Sequence, residues 1–197
     1  MRIVLATTEY PSEPGRDGGL AGYVARAAAA LADAGHRPVV VTCSDRDGEL
    51  CDGPVPVHRV DIRVPAAHRA FDRMTLRRFA VPIDLLWASR RVRIAVDALH
   101  ALERVDVCQY PNLGALAWYR PALPVVARLS CHRRWWARAD DGLSRGWHGR
   151  IQHLMEMRAL AGADAVFGPA PAVAAAVAAD LRRPVEVIAN PFPPPPA

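Results

Sequence analysis

The feature that most constrains the fold is the order of the first elements. Ile3-Val4-Leu5-Ala6 is a short apolar run flanked by Arg2 and Thr7, and a polar loop containing Glu9-Tyr10-Pro11 follows it. Gly18-Gly19 stand directly ahead of an alanine-rich helical stretch, Leu20 to Ala34, and a second apolar run, Pro38 to Cys43, comes at once after it. A strand, a helix and a second strand in this order build a right-handed parallel unit. The two glycines fall where the bare N–H groups of a helix N-terminus can receive an anion. Gly35 is placed to end the helix and Pro38 lies just beyond it.

The alternation continues. Strand-like runs recur at Val57–Val64, Val105–Cys108, Val125–Leu129, Ala165–Phe167 and Val185–Ile188. Helical patterns lie between most of them, at Ile83–Leu102, Leu113–Trp118, Trp147–Leu160 and Ala172–Leu181. This predicts an α/β fold, a Rossmann-like parallel sheet with helices on both faces. Trp87 and Trp118 fall in helical patterns and are expected in the core. Pro65–Ala80 and His132–Gly146 break the alternation. Both are arginine-rich with aromatics, and read as long loops or short exposed helices. The chain of 197 residues suffices for one large domain, expected over 1–189, and residues 190–197 read as a stiff proline-rich linker towards a further domain.

Composition excludes several chemistries. All 25 basic side chains are arginine, so no phosphate-loop lysine or lysine Schiff base is available. The spacing G-x-G-x-x-G is absent and the loop before Gly18 is long, which argues against a dinucleotide-binding turn. The four cysteines, Cys43, Cys51, Cys108 and Cys131, lack a C-x-x-C pair and read as reduced structural thiols. Asp45-Arg46-Asp47 has the form of a metal-binding D-x-D but sits just after a strand in a glycine-bearing loop, so it is read as coincidental. His148 and His153 are five apart, which does not put them squarely on one helix face, and no metal is expected. No nucleic-acid-binding motif accompanies the arginines. With no membrane-span-length apolar run and no signal-peptide layout, the expected location is cytoplasmic.

The ordered set of pieces resembles the N-terminal domain of family 4 retaining glycosyltransferases of the two-domain GT-B fold. The residues that carry the resemblance are Glu9-Tyr10-Pro11, Gly18-Gly19, Gly35-His36 and Val39 to Thr42, then Asp106-Val107 with Gln109-Tyr110-Pro111. Pro124-Val125-Val126 running to His132, Glu156 ahead of Ala163 to Val166, and Val187-Ile188 before Asn190-Pro191 complete it. The resemblance implies a nucleotide-sugar donor as substrate, no cofactor, and a donor site shared with a C-terminal domain carrying paired glutamates.

The same resemblance implies roles for particular residues. Gly18 and Gly19 would face the donor diphosphate, and His132 would stand beside the transferring sugar, positioning it and not abstracting a proton. Glu9, Tyr10, Arg133 and Trp135 would serve a sugar, lipid-linked or small-molecule acceptor. His132 lies in Ser130-Cys131-His132-Arg133, without the family's commoner histidine–aspartate pairing, and Gly168-Pro169-Ala170-Pro171 follows the strand Ala165–Phe167 where a serine is common. Each of these residues also has a plainer structural reading, as loop glycine, solvated carboxylate or packed aromatic. Arg69, Arg73 and Arg77, spaced i, i+4, i+8 beside Phe71, Met74 and Phe79, suggest a basic amphipathic helix for an anionic membrane surface or a phosphorylated acceptor, or else a solvated face. On this reading the isolated chain turns over negligibly. The alternatives are a non-catalytic module that binds an acceptor or a partner subunit, and a GT-B-type sugar epimerase.

Overall fold

The computed structural model describes residues 1–15, 18–132 and 146–191. Strands β1 (Arg2–Thr7), β2 (Arg37–Ser44), β3 (Gly48–Asp52), β4 (Val55–Asp61), β5 (Val107–Pro111), β6 (Val125–Arg128), β7 (Ala165–Gly168) and β8 (Glu186–Val187) form one sheet in the order β3-β4-β2-β1-β5-β6-β7-β8. All pairings are parallel except β3 with β4. The helices are α1 (Gly19–Asp33), α2 (Ala66–Met74), α3 (Ala80–Leu102), α4 (Trp147–Ala161) and α5 (Pro171–Leu181).

The period-two alternation of the strands sorts the core into two layers. Ile3, Leu5, Val40 and Val57 point to one face and pack against Leu20, Tyr23, Val24 and Ala27 of α1. Val4, Ala6, Val39, Val41 and Val60 point to the other, where Val92, Val96 and Leu99 of α3, Met155 and Ala159 of α4, and Val173 and Val177 of α5 cover them. The expected sheet with helices on both faces is therefore present.

Four local expectations are corrected. Leu113–Trp118 is not a helix but a single 3-10 turn, Leu113–Ala115, because Gly114 and Ala115 adopt left-handed φ of 75° and 47°. The run from Val57 is joined by an unforeseen antiparallel partner, β3, turned back at Gly53 with φ 56°. Arg69 and Arg73 lie on α2, but the helix stops at Met74, and Arg77 sits beyond it at φ 58°. Of the two tryptophans expected in the core, Trp87 is half-buried and Trp118 is exposed. None of the four cysteines is in a disulfide among the described residues.

The long β1–α1 loop is pinned by a charge that the sequence pattern does not advertise. Glu13 is buried, its carboxylate 2.6 Å from Arg59 Nε and accepting a 2.6 Å hydrogen bond from Ser44 Oγ. Burial pushes this carboxyl up, but the bonds from Arg59 and Ser44 outweigh it and hold it below the usual range. Asp164 is likewise depressed, by the Val125 N–H and by Arg120. Carboxyls depressed in the folded state contribute stability above their unfolded pKa and lose it as pH falls through the folded value. Urea midpoints are therefore expected to hold steady down to about pH 5 and to fall below about pH 4. Glu13→Gln should lower the midpoint at neutral pH and flatten that acid limb, as measured by urea titrations across the range.

Candidate functional site

In an open parallel sheet, sites form outside the carboxyl ends of the strands, at the point where the strand order reverses. Here the chain runs from β1 outward to β2 and β4, then crosses back to β5 and outward again to β8. The crevice therefore lies between the loops that follow β1 and β5. These loops meet closely. A Cβ on Gly114 would lie 3.1 Å from Thr8 Cγ2, and the Gly114 N–H donates to Glu156 Oε1 of α4 at 3.1 Å. Glu156 is buried and also accepts from Gln152 Nε2, which fixes the turn from below.

Glu9 and Gly18 are neighbours in this crevice. Gly18 caps α1 in extended conformation, and a Cβ there would lie 2.7 Å from Glu9 Oε2. At Gly19, apart from its chain neighbours and its own helix backbone, no atom of the described residues lies within 4 Å of the place a Cβ would take. Helix α1 has no acidic residue in its first turn and no side-chain cap, and the Glu9 carboxylate stands over its positive end. The structure thus brings together three residues that the sequence singles out: Glu9, Gly18 and Gly19.

The loop after β6 is held by Asn112. Its Nδ2 donates to the Cys131 carbonyl at 2.8 Å, its Oδ1 accepts from Ser130 N at 2.7 Å, and its own N–H donates to the Arg128 carbonyl. This grip directs His132 inward, where it is only 5% exposed. Its Nε2 lies 3.1 Å from Asp180 Oδ2 of α5, and its ring centroid 5.9 Å from that of His153 of α4. The histidine–aspartate pairing absent from the local sequence is made across 48 residues instead. A carboxylate on one ring nitrogen fixes the tautomer and the plane of the imidazole.

Arg128, the last residue of β6, is a functional candidate that the sequence reading missed. It is 5% exposed, and no carboxylate pairs with it among the described residues. Nη1 donates to Ser130 Oγ at 2.8 Å, Nη2 donates to Asn190 Oδ1 at 2.9 Å, and the guanidinium carbon lies 3.6 Å from the centroid of Tyr23 on α1. Burial pulls its pKa down, partly offset by Tyr23. A buried cation without a counter-charge is costly, and sites that bind anions retain such cations. Only the absence of a nearby acidic residue could have signalled it in sequence.

The remaining predicted residues fall elsewhere. Tyr10, expected at the acceptor, is instead buried in the core against α1, and its hydroxyl donates to Asp52 Oδ2 at 2.7 Å. Burial first, and Asp52 second, push its pKa up. Asp47 of the D-x-D pairs with Arg91 at 2.8 Å. Arg133 and Trp135 lie outside the described residues. Among the described residues no group of three His, Cys, Asp or Glu is placed to hold a metal ion. Gly168 packs tightly at the end of β7, since a Cβ there would lie 2.9 Å from Leu129 Cβ.

The comparisons with known proteins agree with this architecture. The chain belongs to the glycosyl transferase 4-like domain family, whose pattern it matches over residues 18–192. It is similar in fold to a sucrose-phosphate synthase from Thermosynechococcus elongatus, at 14% identity and TM-score 0.58, over 98% of this chain and 90% of that one. It is also similar to Os79 from O. sativa, solved with U2F and trichothecene, at 16% identity and TM-score 0.53, over 94% of this chain and 51% of that one. It therefore spans about half of Os79. No curated protein sequence matches it significantly.

Proposed function

We propose that this chain is the acceptor-side domain of a retaining glycosyltransferase, which moves a sugar from a nucleotide-sugar donor to an acceptor hydroxyl. The observation that carries this is the meeting of Glu9 with Gly18 and the open Gly19 at the strand-order reversal, in a chain of the glycosyl transferase 4-like family. That Os79, similar in fold, was solved with both U2F and trichothecene supports a fold that takes two ligands.

In this reading the donor diphosphate approaches the N-terminus of α1 beside Gly19, over which no side chain of the described residues stands. The Glu9 carboxylate, otherwise the anion at that helix end, turns to the acceptor hydroxyl. Arg128 supplies the positive charge behind the helix. His132, oriented by Asp180, stands beside the transferring sugar and positions it. The sugar C1–O bond to the phosphate breaks, a C1–O bond to the acceptor forms on the same face, and the acceptor proton passes to the leaving phosphate oxygen. No metal is assigned to this step. The nucleotide and the far side of the sugar belong to a second, C-terminal domain.

The test is the stereochemistry of the product. The chain joined to a nucleotide-sugar domain, given a panel of nucleotide sugars and acceptors, should form a glycoside with the donor's anomeric configuration by NMR. An inverted product rejects the retaining assignment.

A further inference from the structure

Helix α2 is built inside out. Asp72 is turned inward with Oδ1 buried, and with Arg69 and Arg73 it lines the groove against Ile83 and Asp84 of α3. The apolar side chains face outward: Phe71 is 54% exposed and Met74 83%. The turn that follows extends the same surface, with Leu76 92% and Phe79 40% exposed, and Phe71 and Phe79 stacked at 6.2 Å. A surface helix ordinarily turns its apolar stripe to the core. Here no residue of α2 is buried, so the helix contributes little to folding and presents its apolar side outward.

This surface is held, not frayed. Leu76 and Arg77 take consecutive left-handed φ of 53° and 58°, a conformation costly for side-chain-bearing residues. The first turn of α4 clasps the segment: Trp147 Nε1 donates to the Arg78 carbonyl at 3.3 Å, and His148 Nε2 lies 3.1 Å from the Arg77 carbonyl. Arg69, Arg73 and Arg77 line the open groove beside these apolar side chains together with Asp72 and Asp84, and the Arg78 guanidinium lies over the Trp147 ring at 5.7 Å. Helix α2 also follows the carboxyl end of β4, the sheet edge that carries the crevice.

We propose that residues 66–79 seat the protein on an anionic lipid surface, with Phe71, Met74, Leu76 and Phe79 entering the headgroup layer and the arginines meeting lipid phosphates. Lipid is the occupant that the charges favour, because residues 66–79 carry four arginines against the single carboxylate of Asp72, an excess of positive charge that matches a diffuse negative surface. Attachment does not depend on the transferase reading. If both hold, the crevice opens beside the bilayer and takes an acceptor carried on a lipid.

The full chain is mixed with large vesicles of phosphatidylcholine alone, or of roughly equal phosphatidylcholine and phosphatidylglycerol, and sedimented. Wild type should pellet with the anionic vesicles and bind neutral ones at least about 10-fold more weakly. The triple change Phe71→Ser, Met74→Ser and Leu76→Ser, at exposed positions, should keep the wild-type circular dichroism and lose about 10-fold or more in binding. Arg69→Gln with Arg73→Gln and Arg77→Gln should erase the preference for anionic vesicles. Equal binding to both vesicle types, no binding to either, or full binding by the serine variant overturns the proposal. So does a dimer that the serine variant dissolves while neither protein binds vesicles, which assigns the surface to a second copy.

Discussion

Replacing Gly19 by alanine is expected to leave the protein at least as stable and yet to reduce transfer by about 100-fold or more. Apart from its chain neighbours and its own helix backbone, no atom of the described residues lies within 4 Å of the position an alanine Cβ would take, so they leave room for it. Alanine in the first turn of α1 should add up to ~1 kcal/mol through helix propensity. A diphosphate seated on the N–H groups of that turn meets the added methyl directly, so the loss comes from the ligand side. Gly18→Val gives a useful contrast. Its side chain would displace Glu9, whose Oε2 lies 2.7 Å from the Cβ position, so it should disturb acceptor and donor together. Thermal unfolding of the two variants, and steady-state kinetics with each joined to a nucleotide-sugar domain, separate these effects. If Gly19→Ala keeps wild-type kcat/KM, the diphosphate does not sit there.

Arg128→Met is expected to do the opposite of what a structural cation predicts. Methionine fills similar volume, and removing a buried charge that has no counter-ion among the described residues relieves its desolvation. The unfolding free energy should stay level or rise by ~1 kcal/mol, while activity falls by about 100-fold. The hydroxyl of Ser130 and the amide oxygen of Asn190 lose a donor but remain able to bond water. A purely structural role predicts the reverse pattern, with stability falling by several kcal/mol and activity kept in the surviving folded fraction. Arg128→Lys keeps the charge but not the planar contact with Tyr23, and should recover only part of the activity.

The fold was legible because its strands are short β-branched runs buried on both faces, a signal that needs no partner to be read. Val39-Val40-Val41 is one such run, fully inside the sheet. The hairpin strand β3 was not legible, since Gly48–Asp52 is an edge strand with mostly exposed side chains and no apolar alternation. Leu113–Trp118 reads as helix by composition, but Gly114 must pack against Thr8 and takes a left-handed turn. Loop glycines and Glu9 could be picked out because their chemistry is local. The partners of His132 and Arg128 could not, because Asp180 and Asn190 lie 48 and 62 residues away. Tyr10 shows the limit of reading a loop by its chemistry: its phenol is spent on Asp52 in a hairpin that the sequence did not reveal.

The central claim is that this chain holds one half of a split site, and the direct measurement is glycosyl transfer by mass spectrometry with a panel of nucleotide sugars. The 197 residues are assayed alone and continued from residue 190 into a nucleotide-sugar domain. The account predicts no detectable product from the chain alone and turnover from the joined protein. Product formed by the isolated chain at a comparable rate would contradict it.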